Sequence, residues 1–114
     1  MIMVILDTKV RKVIATVPIG KGVDGNGFDP ETGLIFSSNG DGSLTVVHES
    51  TPLHFDVVET VRTQVGARTM AIDTKTHNIY LPTATFFSAP PQSSGPKAKP
   101  EIVEGSFVVL VIGK

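Results

Sequence analysis

Three histidines, His48, His54 and His77, come first as candidates for chemistry, because imidazole ligates metals and carries protons near neutral pH. No two of them have the spacing of a zinc motif on one element, and turn positions on the surface explain them better. The run Asp24-Gly25-Asn26-Gly27, followed by Asp29, resembles the start of a calcium loop. An EF-hand loop closes with an acidic side chain at its twelfth position, where this sequence has Ile35. Turn chemistry accounts for that Gly, Asn and Asp content. Ser37, Ser38, Ser43 and Ser106 fall at strand ends, none inside a Gly-x-Ser-x-Gly elbow, so no nucleophile and base can be paired. Arg68, beside Thr69, could hold an anion, although pairing with Asp24 is the simpler expectation. The candidate ligand-binding residues are therefore Asp24, Asn26, Asn39, Asp41 and Arg68. They name no cofactor and no metal.

Those five residues would have to be brought together by the elements around them, and the elements repeat. Gly22, Asp29, Thr32, Ile35 and Phe36 return 44 residues later as Gly66, Asp73, Thr76, Ile79 and Tyr80. Upstream, Val13, Ile14, Thr16 and Val17 return as Val57, Val58, Thr60 and Val61. A period of about 40–50 residues built from short strands is the mark of a β-propeller blade. The expected strands are 2–6, 13–18, 25–29, 34–38, 44–48, 55–61, 68–72, 78–81 and 107–112. Helical periodicity is nearly absent; the stretch 58–70 contains Gly66 and β-branched flanks, which disfavour a helix.

With blade strands lettered A to D from the axis outward, the chain gives C-D, A-B-C-D, A-B-C. The expected organisation is a C–D hairpin over 1–19, a full blade over 20–62, and a last blade over 63–114. The fold class is all-β: antiparallel four-stranded propeller blades in an incomplete ring, about two blades plus an extra hairpin. Aligning Gly42–Val47 with Gly105–Leu110 gives an offset of 63, so the second B–C connection would carry 19 extra residues. That connection, within 83–104, holds Pro90, Pro91, Pro96 and Pro100 among Ser, Gly and Lys, a composition that cannot pack a core. It also holds the aromatic pair Phe86-Phe87, which either folds back on a blade or anchors a neighbour. The D–A and B–C connections share one rim of a propeller. They would place Asp24, Asn26, Asn39, Asp41, Arg68 and the Pro-rich loop together there, and place the histidines on the other rim.

Bulk properties narrow the class of partner. The formal charge of -1 and the absence of a Lys/Arg cluster give no footprint for nucleic acid. With no cysteine, disulfide and thiolate chemistry are excluded and the redox compartment is left open. The apolar start Met1–Leu6 is a short run that ends at Asp7, without a basic leader or cleavage site, and fits a buried strand better than a signal peptide. No apolar stretch nears the roughly 20 residues of a membrane span.

A family resemblance rests on specific residues. Asp7-Thr8 with Val13-Ile14-Ala15-Thr16-Val17-Pro18-Ile19-Gly20 resembles the C–D hairpin of YVTN-type β-propeller repeats, the YncE-like proteins. Asp29-Pro30-Glu31-Thr32-Gly33-Leu34-Ile35-Phe36 resembles that family's A–B turn, and Asp73–Tyr80 repeats it. Ser37-Ser38-Asn39 stands where the family has Val-Thr-Asn, and the stretch 107–114 is similar to its closing segment. The resemblance implies an exported, seven-bladed, longer protein; this chain departs from it in having no signal peptide and no N-terminal blades.

The expected function is a non-enzymatic binding or assembly module that completes its ring by self-association through open blade edges. Three or four chains would close about six or eight blades if one chain's hairpin completed the next chain's blade. The alternative is a propeller enzyme, lactonase-like or quinone-dependent dehydrogenase-like, with its site on the D–A and B–C rim. That alternative rests on fold analogy.

Overall fold

The computed structural model describes residues 1–87 and 101–113. Nine strands follow one another: β1 (Ile2–Asp7), β2 (Lys12–Pro18), β3 (Val23–Asp29), β4 (Leu34–Asn39), β5 (Ser43–Thr51), β6 (His54–Arg62), β7 (Ala71–Asp73), β8 (Asn78–Thr83) and β9 (Val108–Ile112). Short β-branched runs broken by Gly, Asn and Asp leave the chain no other regular structure to form. Stretch 58–70 is no helix: it finishes β6 and turns. The strands make three open antiparallel sheets in chain order: β1-β2, then β3-β4-β5-β6, then β7-β8-β9. The Pro-rich composition of 88–100 lies outside the described residues.

The period of 44 is built into the backbone. Ile14 bulges out of β2 between the pairs Ile5–Ala15 and Leu6–Val13, and Val58 bulges out of β6 between Val46–Glu59 and Val47–Val57. An extra residue at the same repeat position kinks both hairpins alike. The turns repeat as well. Asp29 and Asp73 each accept, through their carbonyls, the N–H of a residue four along, Gly33 at 2.9 Å and His77 at 2.7 Å. Both of those residues are left-handed, as is Arg11 four residues after Asp7.

The strand β9 sits two residues away from its expected place. Val47 pairs with Ile35, and Ile112 pairs with Ile79, the repeat equivalent of Ile35, so β5 and β9 correspond at an offset of 65 rather than 63. A shift of two leaves every side chain on its original face, so the hydrophobic pattern could not discriminate. The seventh strand also differs, starting at Ala71 instead of Arg68. Ala71 pairs with Tyr80, so continuing the register would set Leu81 opposite Met70 and Pro82 opposite Thr69, and Pro82 has no N–H to extend the ladder.

Two cores hold the three sheets face to face. Met3 and Val17 from the first sheet meet Val47, Ile35 and Phe55 from the middle one. Phe36, Leu44 and Val46 on the opposite face of the middle sheet meet Ile79 and Leu81 of the last, flanked by Leu110 and Ile112. The middle sheet is thus covered on both faces, whereas no described residue covers the outer faces of its neighbours. Across these contacts β2 lies against β6 and β3 lies against β7.

Candidate functional site

Asp24, Asn39, Asp41 and Arg68 lie at one end of the sheets, and most of them are spent on holding it together, whereas Asn26 lies in the middle of β3. The loop after β4 is the hub. Gly40 N–H donates to Gly22 C=O, Asp41 N–H to Lys21 C=O, and Gly66 N–H to Gly40 C=O, at 2.9, 3.1 and 2.9 Å. One tight loop therefore ties the connection entering the middle sheet to the one leaving it. Asp41 reinforces it: its carboxylate accepts the Lys21 N–H at 2.7 Å and the Ser43 hydroxyl at 2.6 Å. The Ser43 hydroxyl and the Lys21 N–H hold the Asp41 carboxyl below its ordinary value.

Asn39 is fully buried. Its amide donates to the Ser43 and Thr45 hydroxyls, each at 3.1 Å, and its carbonyl accepts the Ser37 hydroxyl at 3.1 Å. Both donors and one of the two acceptor positions of this buried amide are thus taken up within its own sheet. Asp24 accepts the Thr69 hydroxyl at 3.0 Å. It makes no ion pair with Arg68, contrary to expectation, and the exposed Arg68 instead gives its backbone carbonyl to the Ser38 hydroxyl. Asn26 is exposed in the middle of β3, beside a groove of about 740 Å³ that runs along β1 and is lined by Met3, Ile5, Phe28, Ile35 and Phe55. These five side chains do not converge on a common point.

Strand β3, expected over 25–29, begins two residues earlier at Val23, so turn chemistry does not account for its Gly, Asn and Asp content. Its glycines answer to crowding: a Cβ on Gly25 would stand 2.5 Å from Met70 Cγ and 3.2 Å from the Arg68 carbonyl oxygen. Gly25 and Gly27 let β3 approach the segment leading into β7 more closely than any side chain would allow.

The opposite end holds a cluster that reading the histidines one by one misses. His77 Nδ1 bonds to the Asp29 carboxylate, and His77 Nε2 lies 3.6 Å from the Glu31 carboxylate. The β7–β8 turn is thereby fastened to the β3–β4 turn of the neighbouring sheet. Burial pushes the Asp29 carboxyl up, but the bonds from His77 and from the Glu31 N–H outweigh it and hold the group below its ordinary value. The repeat carries the signal for this pair: a left-handed position filled by Gly33 in one turn is filled by a histidine, at φ 63°, in the next.

Beside the pair lies a cavity of about 220 Å³ between the middle and last sheets, lined chiefly by Leu34, Phe36, Val46 and Ile79, with Asp29 and His77 at its border. Among the described residues no hydroxyl, thiol or amine side chain lines it. His48 and His54 do not join the cluster. Among the described residues no group of three or more His, Cys, Asp or Glu is arranged to hold a metal.

Phe86 folds back, its ring over Gly66, and its bridge to Ile102 closes the foot of the long connection, while Phe87 is exposed. No helix among the described residues is long and apolar enough to cross a membrane. Comparison of the chain with family models, with curated proteins and with solved structures yields no match.

Proposed function

We propose that the chain is a run of YVTN-type β-propeller blades acting as a non-enzymatic binding and assembly module, which self-associates through its open outer sheets. The observation that carries this reading is that like strands neighbour like. The first strands of two successive sheets, β3 and β7, lie together at the glycine-crowded side, and the last strands, β2 and β6, lie together at the other. Repeating wedges whose narrow sides converge have the geometry a ring of blades requires. The exposed edge of β1 and the outer faces that no described residue covers support association, since unpaired edges and contiguous apolar faces both seek cover in water.

An enzyme on the loop rim draws no support from the side chains there. Asn39 is engaged by Ser37, Ser43 and Thr45, Asp41 ties its loop to Lys21, and Asp24 is engaged by Thr69. The test is solution mass by light scattering at micromolar concentration. A multi-chain species is expected; a single-chain mass would defeat the assembly reading.

A further inference from the structure

Two faces remain that no described residue covers, and the repeat states what each one is. The outer face of the last sheet presents Tyr80, Val109 and Val111, the last two 47% and 58% exposed. The strand registers place these three where the middle sheet has Phe36, Leu44 and Val46. Those counterparts are core residues, buried against the last sheet. The outer face of the first sheet presents Ile2, Val4 and Leu6, which are 59%, 53% and 53% exposed. By the same registers, through Ser43, Thr45 and Val47, they correspond to Val108, Leu110 and Ile112. Leu110 and Ile112 pack on the core formed with Phe36, Leu44 and Val46.

The two exposed faces are therefore the two halves of a contact that already exists twice inside the molecule, between the first and middle sheets and between the middle and last. We infer that the outer face of the last sheet docks on the outer face of the first sheet of a second copy, in the manner of the internal contact between the middle and last sheets. The inference rests on the assembly reading and adds to it the surfaces and their polarity. Because the two faces differ, the contact is heterologous; repeated, it generates a ring if the rotation closes and a filament if it does not. It also continues an existing interface of the same residue types, which an unrelated partner would have to imitate.

Val4→Asp and Val111→Asp each place a charge at the centre of one face, on side chains already half exposed. Wild-type chain is expected to run as a multi-chain species, and each variant alone as a single chain. An equimolar mixture of the two should run as a species of two chains, since each variant keeps the face the other has lost. A variant that keeps the wild-type mass, or a mixture that stays single-chain while both variants retain the wild-type circular dichroism spectrum, overturns the inference and leaves the assembly reading standing. A single-chain wild type overturns both.

Should the aspartates disturb folding, cysteine mapping decides, because the chain has no cysteine of its own. Mixed Val4→Cys and Val111→Cys chains should oxidise to a 4–111 disulfide. Only 4–4 or 111–111 products would mean like faces pair, and would overturn the inference.

Discussion

His77 and Asp29 show how one side chain takes two jobs. The backbone at 77 needs a left-handed residue to close its turn, and the repeat supplies glycine at the equivalent position 33. A histidine there carries a conformational cost on the order of 1 kcal/mol. It gains a bond to the buried Asp29 carboxylate of the next sheet. A carboxyl whose folded value lies below its unfolded one contributes stability that is complete above the ordinary carboxylate range near 3.8. That contribution is lost as pH falls through the range toward the lower folded value. The melting temperature of the wild type should therefore fall between about pH 6 and about pH 2, and Asp29→Asn should flatten the curve. Parallel curves for the two proteins would show that Asp29 does not carry the effect. Asp73, whose Lys75 N–H bond lowers it, and Asp41 titrate in the same direction and supply the residual slope.

At the scale of elements, the strand pattern was readable because β-branched runs end at turn residues, and burial alternates along β3 and β8, although β4 and β5 are buried on both faces. Three features escaped. The two-residue misplacement of β9 is invisible to any pattern of period two. The late start of β7 depends on Pro82 across the ladder, a long-range fact. Asp24-Gly25-Asn26-Gly27 has turn-forming residues, but its glycines serve proximity to Met70 and not backbone reversal. Gly25→Ala tests that reason: its Cβ would press on the Arg68 backbone as well as on Met70, and should cost about 1–3 kcal/mol in denaturant unfolding. Gly27→Ala, which crowds the mobile end of Met70 at 3.0 Å and touches Ile72 at an ordinary 3.5 Å, should cost clearly less. Equal costs would point to backbone entropy instead of contact. The candidate site was less readable than the strands. Asn39 and Asp41 were placed in the right loop, but composition cannot say whether a polar side chain faces a ligand or its own backbone.

The molecule as a whole is elongated. Its radius of gyration is 16.3 Å, against about 13 Å for a compact chain of this length. One sheet of three is covered on both faces, so interior is scarce relative to surface, and much of the potential burial is left for association. The melting temperature should consequently rise with protein concentration, since whatever binds only the folded state stabilises it by mass action. Calorimetry over a hundredfold range of about 5 to about 500 µM would check this. A transition that stays put would mean the exposed valines and isoleucines contribute nothing beyond the single chain.

The strand β9 enters its sheet from far away in sequence: Thr83 ends β8 and Val108 begins β9, whereas Asn39 and Ser43 bracket the equivalent junction in the middle sheet. Joining distant segments costs about 0.6 kcal/mol for each doubling of the intervening length, so this step is dearer by roughly 1–2 kcal/mol than its counterpart. The clasp between Phe86 and Ile102 shortens the effective span once it has closed. Renaturation should accordingly finish at this strand, with the nearby meander β3-β4-β5-β6 serving as the nucleus on which it zips up.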